Sequence, residues 1–322
     1  MNFEGDAVLF EPWALGDAVI AAAAYRFRPQ GKAIVCHSRW IEMLQEAFPK
    51  DVPSYFQPID LPYTTRLNAG KFDFGNQSSE AKHLRVTQVF SIRGDMRDWI
   101  AAKKHFPGVK VNMTGWIPFF SRRFRVLDLP YQSQLFPVRN RYEAWSRLLG
   151  FSFEDFSSDY LNRRMLALKK VQNIVFHVGA QWKSKQYPDI LELMYLFRKQ
   201  GFENLQLIAG PGDSLPKGIG ESEVQRLLGK DLVHCFQQAE VVIANDSGPM
   251  HLAAFLGCKT VSVGLTSNLK EWLPPGALGV FSDRMPLGYR ALKVYSADLV
   301  LDGWPSAEQV FSQCLPFILD RA

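Results

Sequence analysis

Strand-length apolar runs alternate with helix-length amphipathic runs through both halves of the chain, and that alternation leaves few architectures open. "AVLF" (7–10) leads into a helical stretch from Asp17, and "KAIVCHS" (32–38) precedes "RWIEMLQEAFP". In the second half "NIVFHVGA" (173–180), the helix "PDILELMYLFRKQG", "NLQLIAG", "AEVVIAN", the helix "PMHLAAFLG" and "TVSVGL" follow one another. Strands linked through helices pair in parallel, so the pattern predicts an α/β protein of βαβ units with mostly parallel sheets. Pro188 and Gly201 bracket one helix, and Ser306 caps the last, "SAEQVFSQCLPFIL". From Leu61 to Ser121 the pattern weakens; "VTQVFSI" and "VKVNMTGW" are the strongest strand candidates there.

A chain of 322 residues exceeds the roughly 250 at which one hydrophobic core stops growing, so two domains are expected. The polar segment "FSFEDFSSDYLNRR" is the natural divide, giving domains 1–158 and 159–322, with the final helix free to pack back on the first. With 47% hydrophobic and 21% charged residues, the composition is that of an ordinary globular protein. The longest apolar run, "AVIAAAAYRF", is broken by Arg26 and Arg28, short of the roughly 18 residues a membrane helix needs. No signal-peptide pattern opens the chain, so a cytoplasmic location is expected. Cys36, Cys235, Cys258 and Cys314 are scattered without metal-ligand spacing and read as reduced core thiols.

Chemistry gathers where the strands end. In "VVIANDSGPMHLAAFLG", Asp246 follows a strand at the end where open α/β sheets bind ligands. Ser247 or Gly248 can cap the next helix with Pro249 at its first position, leaving first-turn N–H groups and the positive dipole end to face an anion. Asp246 would repel a phosphate and suits hydroxyls instead, so the order fits a phosphate carrying a polyol. His251, on the first turn, can add a hydrogen bond. The plainer reading is a good helix start with a satisfied surface histidine. "HVGAQWKSKQYP" places Lys183 and Lys185 after another strand end, where a lysine offers a point charge to a diphosphate. "GPGD" (210–213) closes a third strand, although it also suits a plain turn.

Charge is uneven. Thirteen Lys/Arg face four Asp/Glu between Lys82 and Arg147, against a net +5 for the chain, so this stretch reads either as a solvated face or as a surface for an anionic partner. No aromatic-basic, zinc or helix-turn-helix signature points to nucleic acid.

Taken together, "GAQWKSKQYP", "GPGD", "NDSGPMHLAAFLG", "VSVGLTSNLKEWLPPG" and the amino-terminal "VLFEPWALGDAV" resemble the heptosyltransferases of glycosyltransferase family 9. The resemblance implies the GT-B fold, two doubly wound Rossmann-like domains facing across a cleft. It also implies that Asp246 holds the donor sugar, that Ser247 and Gly248 offer backbone donors to the diphosphate, and that His251 supports it. Lys185 matches the family's phosphate-binding lysine, and Thr266 its threonine beside the nucleotide. Gly16, Pro249 and Met250 join the substrate-binding set through the same motifs. An acidic ribose ligand is expected after "GPGD", with Asp213, Glu221 and Glu223 competing. "GDAV" occurs twice, and only Asp17, not Asp6, follows the first strand; Asp17 thus matches the family's catalytic base, although spacing alone would make it a helix cap. Ala23 departs from the family's frequent proline six positions after that aspartate. Together with Arg122, Arg123 and Arg125, it leaves the acceptor open.

The implied reaction is inverting transfer of a sugar, such as heptose from ADP-heptose or another nucleotide sugar, to a lipopolysaccharide-type or other anionic glycan or glycolipid acceptor. Peripheral membrane association at the inner face of the cytoplasmic membrane is a further option. No cofactor is expected, and in the absence of a DxD triplet Lys185 and the helix start are expected to do the work of a metal ion. A sugar-nucleotide epimerase or hydrolase of the same architecture, and a noncatalytic binder of anionic ligands, are the alternatives.

Overall fold

The computed structural model describes residues 6–12, 14–27, 31–48, 56–59, 86–92, 96–113, 140–167, 173–180, 183–265, 270–282 and 302–320. The chain divides into two compact units, Met1–Phe156 and Ser157–Ala322.

The first unit runs β1 (Asp6–Glu11), α1 (Leu15–Tyr25), β2 (Gly31–His37), α2 (Ser38–Ala47), β3 (Phe56–Ile59), β4 (Val86–Ser91), α3 (Met96–His105), β5 (Lys110–Met113) and α4 (Arg141–Leu149). Its five strands pair in parallel in the order β3-β2-β1-β4-β5. The alanine run of α1 favours helix strongly, and every residue of α1 is buried, so a helix of small side chains lies close against β1, β2 and α4. Val8, Phe10, Val35, Val89 and Phe106 form the core beneath α3, with the rings of Phe10 and Phe106 edge to face at 6.2 Å. Asp6 is the first residue of β1 rather than preceding it. Two elements escape the sequence pattern. The strand β3 holds Pro58, which donates no backbone hydrogen bond and is tolerated because β3 is a sheet edge. The helix α3 buries Ala101 and Ala102, leaves Ile100 exposed and ends on the basic run Lys103, Lys104 and His105, without a clean apolar stripe.

The polar segment "FSFEDFSSDYLNRR" is helical, forming most of α5 (Phe153–Ala167). The second unit then runs β6 (Ile174–His177), a single 3-10 turn (Lys183–Lys185), α6 (Ile190–Lys199), β7 (Leu205–Ala209), β8 (Gln225–Arg226), α7 (Gly229–Gln238), β9 (Val241–Asn245), α8 (Gly248–Phe255), β10 (Lys259–Gly264), β11 (Leu278–Phe281) and α9 (Ala307–Leu319). Pro188 lies in a turn ahead of α6, whose cap is Asp189. Gly201 takes the left-handed conformation that follows the helix, at φ +94°. All six strands are parallel in the order β11-β10-β9-β6-β7-β8. Each sheet therefore starts at its centre, grows to one edge, and returns to grow the other way. The return leaves a crevice beyond the carboxyl ends of β6 and β9, and of β1 and β4.

Both faces of the second sheet are covered, which is why its strands are continuous apolar runs rather than alternating ones. Phe176, Leu193, Phe197, Ile243, Val261 and Val310 belong to its core. The helix α9 packs on α6 and against β10 and β11. Ser306 and Gln309 form its capping box, and the buried Lys259 ammonium donates to the carbonyls of Ile318 and Asp320 at its far end, which have no intrahelical donor.

Phe197 is fully buried and meets the rings of Phe176, Phe202 and Phe311 edge to face. Phe197→Ala should cost about 3–5 kcal/mol of stability, read as a lower urea midpoint, because a cavity is left among rings held by several neighbours.

Candidate functional site

The site is built where the chain reverses in the second sheet. The last residue of β9, Asn245, is buried, and its side chain reaches across to the loop after β6. Its amide nitrogen donates to the carbonyls of Val178 (3.0 Å) and Gly179 (3.2 Å), and its oxygen accepts from the backbone N–H of Tyr187 (2.9 Å). That loop carries Lys185, whose Nζ lies 2.7 Å from Asp246 Oδ2 and 3.1 Å from the Asp246 carbonyl. Two residues singled out separately in the sequence thus meet, each about one-fifth exposed. Lys183 stands at the other end of the same turn, and only Lys185 makes this pair.

The helix α8 begins at once after Asp246. Its cap is Ser247, the hydroxyl of which donates back to the Asn245 carbonyl at 3.3 Å instead of capping an amide. Pro249 is the second helical residue, not the first, because Gly248 is already helical. Proline has no N–H, and the Met250 N–H is spent on the Ser247 carbonyl. The amides of Ser247 and Gly248 are the ones that helix geometry leaves for an anion. Met250 and His251 are buried, so His251 is not a surface histidine. Burial pushes its imidazole down to about 4; Asp246 acts against that shift and Lys185 with it. The ring is neutral at neutral pH, edge to face with Trp272 at 6.4 Å, and brings a dipole rather than a charge.

"GPGD" forms a turn locked to the loop after β6. Asp213 Oδ2 accepts from the Gly210 N–H at 2.9 Å, and the carboxylate lies over Gly179, where a Cβ would come within 1.8 Å of it. Only glycine fits there. Arg226 ties the turn from the other side, donating to the carbonyls of Gly210 and Asp213, both at 2.8 Å, and through two bonds to Glu221. Glu223 caps the Gly220 N–H at 2.7 Å. Each of the three acidic candidates holds an internal partner, with Glu221 and Glu223 exposed and Asp213 half-buried. Gln186 joins the same fabric by donating to the Ser214 carbonyl (2.7 Å) and hydroxyl (3.0 Å).

In the first unit, Asp17 is buried as the third helical residue of α1, after Gly16, while Ala14 is the cap. It is therefore not the capping residue, although a carboxylate in the first turn suits the helix dipole. Nearby in sequence, the buried Glu11 ends β1 and accepts from the Ile92 N–H at 2.7 Å, and the buried Arg141 at the start of α4 donates to the Ile92 carbonyl at 2.9 Å. Thr266, Arg122, Arg123 and Arg125 lie outside the described residues. Of the cysteines, Cys36, Cys258 and Cys314 are buried, Cys235 is partly exposed, and all four are free thiols.

Residues 151–277 match the model of glycosyltransferase family 9 (heptosyltransferase). Over that stretch the chain is similar to glycosyltransferase family 9. No curated protein matches the sequence. Among solved structures, a family 9 glycosyl transferase from Veillonella parvula aligns with 98% of this chain and 97% of its own, at 15% identity and a TM-score of 0.59. The E. coli ADP-heptose lipopolysaccharide heptosyltransferase II aligns over 98% of both chains, at 15% identity and a TM-score of 0.53. E. coli heptosyltransferase WaaC with ADP aligns over 91% of this chain and 96% of its own, at 14% identity and a TM-score of 0.53. The expected α/β architecture of GT-B type, with its two parallel sheets, stands on these matches.

The loops at these strand ends are also held by Asn245, Gln186, Arg226 and the crowded Gly179, none of them a candidate site residue. Asn245 had a signal in its place at the strand end, directly before Asp246. Gln186 lies within the quoted "GAQWKSKQYP", and Arg226 had no signal, since only the fold brings it to the turn.

His251 links the site to pH. The unfolded chain takes up a proton near the ordinary 6.5, while the folded imidazole resists to about 4. Its contribution is complete above 6.5 and is lost as pH falls toward 4, since the unfolded state then binds more protons. Urea midpoints of the wild type should therefore fall more steeply over that window than those of His251→Gln; parallel curves would contradict the assignment.

Proposed function

We propose that the chain transfers a sugar from a nucleoside diphosphate donor to a hydroxyl of an anionic surface glycan or glycolipid, inverting the anomeric carbon. The observation that carries this reading is the meeting of Lys185 and Asp246 at the crevice between β6 and β9, directly before the start of α8. Lys185 and the amides of Ser247 and Gly248 would receive the diphosphate, and Asp246 would accept hydrogen bonds from sugar hydroxyls. The ligands named for similar proteins are ADP for one and ADP-heptose for others, which makes an ADP sugar, heptose among them, the first donor to try.

Asp17 is the proposed base. The acceptor hydroxyl gives its proton to the carboxylate as its oxygen bonds to the anomeric carbon, and the bond from that carbon to the diphosphate oxygen breaks. The diphosphate departs with the electron pair, and its growing charge is stabilised by the Lys185 ammonium and the helix-start amides. His251, held neutral, keeps the α8 start in place without adding charge. Gly16, Pro249 and Met250 shape the two sites through their backbones, and Thr266 would lie beside the nucleotide. Of the acidic residues, Glu223 and Asp213 remain the proposed ribose ligands.

The basic stretch from Lys82 to Arg147 supports an anionic acceptor and a workplace in the cytoplasm at the inner face of the membrane. Among the described residues no helix is long and apolar enough to cross a membrane.

Two experiments test this. In a thermal-shift panel of ADP, UDP, GDP and TDP sugars, one nucleotide series should raise the melting temperature in proportion to its concentration, and a flat panel would count against the donor site. Asp17→Ala should lower transfer by about 10²–10⁴-fold while leaving donor affinity within about twofold. Lys185→Ala should weaken the donor as well. Hydrolysis or epimerisation of the donor at full rate without acceptor would favour an epimerase or hydrolase instead.

A further inference from the structure

We propose that Asn245 is a positioning residue for Lys185, setting where the ammonium meets the donor diphosphate; the inference rests on the donor site proposed above. Every polar group of the Asn245 side chain that the loop can use is engaged. Both of its N–H donors go to the carbonyls of Val178 and Gly179, and its oxygen takes the Tyr187 N–H. One buried side chain thus holds both ends of the loop between residues 178 and 187.

Lys185 is two residues from Tyr187, and Asp246 is the residue after Asn245, so the Lys185–Asp246 pair closes a ring. The ring runs from the Asn245 side chain to Tyr187, back through Gln186 to Lys185, across to Asp246, and along the backbone to Asn245. A flexible lysine would otherwise spread its charge over many rotamers. Here the stem is anchored at a fixed height above β9, and Gln186 braces it further by donating to Ser214. Asparagine suits the place because it offers two donors and an acceptor at once; aspartate would set a carboxylate against two carbonyl oxygens, and a shorter side chain would release Tyr187.

A double-mutant cycle on the intact chain separates this role from general structural support. The probe is the nucleoside diphosphate that most raises the wild-type melting temperature, and the readout is its Kd by calorimetry. Asn245→Ala should raise Kd on the order of tenfold, as expected for losing buried hydrogen bonds that act through one charge. In a Lys185→Ala background the same substitution should change Kd by less than about twofold. An equal factor in both backgrounds, or an unchanged Kd in a folded Asn245→Ala, would overturn the proposal. Should Asn245→Ala not fold, Asn245→Ser in the same cycle carries the same expectations. A wild type without saturable diphosphate binding would overturn the donor site and this inference together. Saturable binding that Lys185→Ala weakens, with additive Asn245 effects, would overturn this inference alone.

Discussion

One ion pair, between Lys185 and Asp246, joins residues 61 positions apart in the chain, one in the loop after β6 and the other directly after β9. With each partner only about one-fifth exposed, the loss of water around the two charges offsets much of their attraction, so the pair is weak evidence for stability. Its importance is geometric. It places a cation, a carboxylate and a helix start within one crevice, and every chemical assignment in the carboxy-terminal unit depends on that arrangement. Were Lys185 to swing to solvent, Ser247 and Gly248 would face an anion alone.

What holds the pair in place is a division of labour between apolar and polar groups. The buried faces of β6, β9 and β10, with Phe176, Ile243 and Val261 among them, supply the driving force that fixes the strands in parallel register. Parallel register puts all carboxyl ends on one side, and the return of the chain at β9 opens the crevice there. A second layer of hydrogen bonds then aims the loops: Asn245 holds the loop after β6, Arg226 and Asp213 hold the turn after β7, and Gln186 ties one to the other. Glycine at 179 and 210 lets the Asp213 carboxylate come down onto both loops. The first unit repeats the logic at the ends of β1 and β4, where Glu11 and Arg141 grip the two sides of the Ile92 peptide.

Much of this is legible in the amino-acid sequence. Parallel α/β architecture follows from apolar runs too short for helices alternating with amphipathic ones, and Asp246 and Lys185 stand out because polar residues follow directly on buried strands. The misreadings have physical causes. His251 falls on a first turn, where exposure is common, but α8 is buried on nearly all sides, every residue from Met250 to Phe255 included, so the imidazole is buried and neutral. Pro249 satisfied the rule for a first helical position, yet Gly248 adopts helical geometry one residue earlier. The acidic residues after "GPGD" are equivalent by spacing and differ only in tertiary partners: an amide and two glycines for Asp213, an arginine for Glu221, a local cap for Glu223. Asn245 is marked in the sequence only by its place at a strand end, since a single amide reveals its role only when both ends of the loop after β6 converge on it.

The most direct measurement of the central claim is the electron density of crystals soaked with the nucleoside diphosphate that binds the protein in solution. The account predicts phosphate oxygens within hydrogen-bonding reach, about 2.7–3.2 Å, of Lys185 Nζ and of the Ser247 and Gly248 amides. A diphosphate bound at another place, with the crevice between β6 and β9 empty and Lys185 still on Asp246, would contradict it.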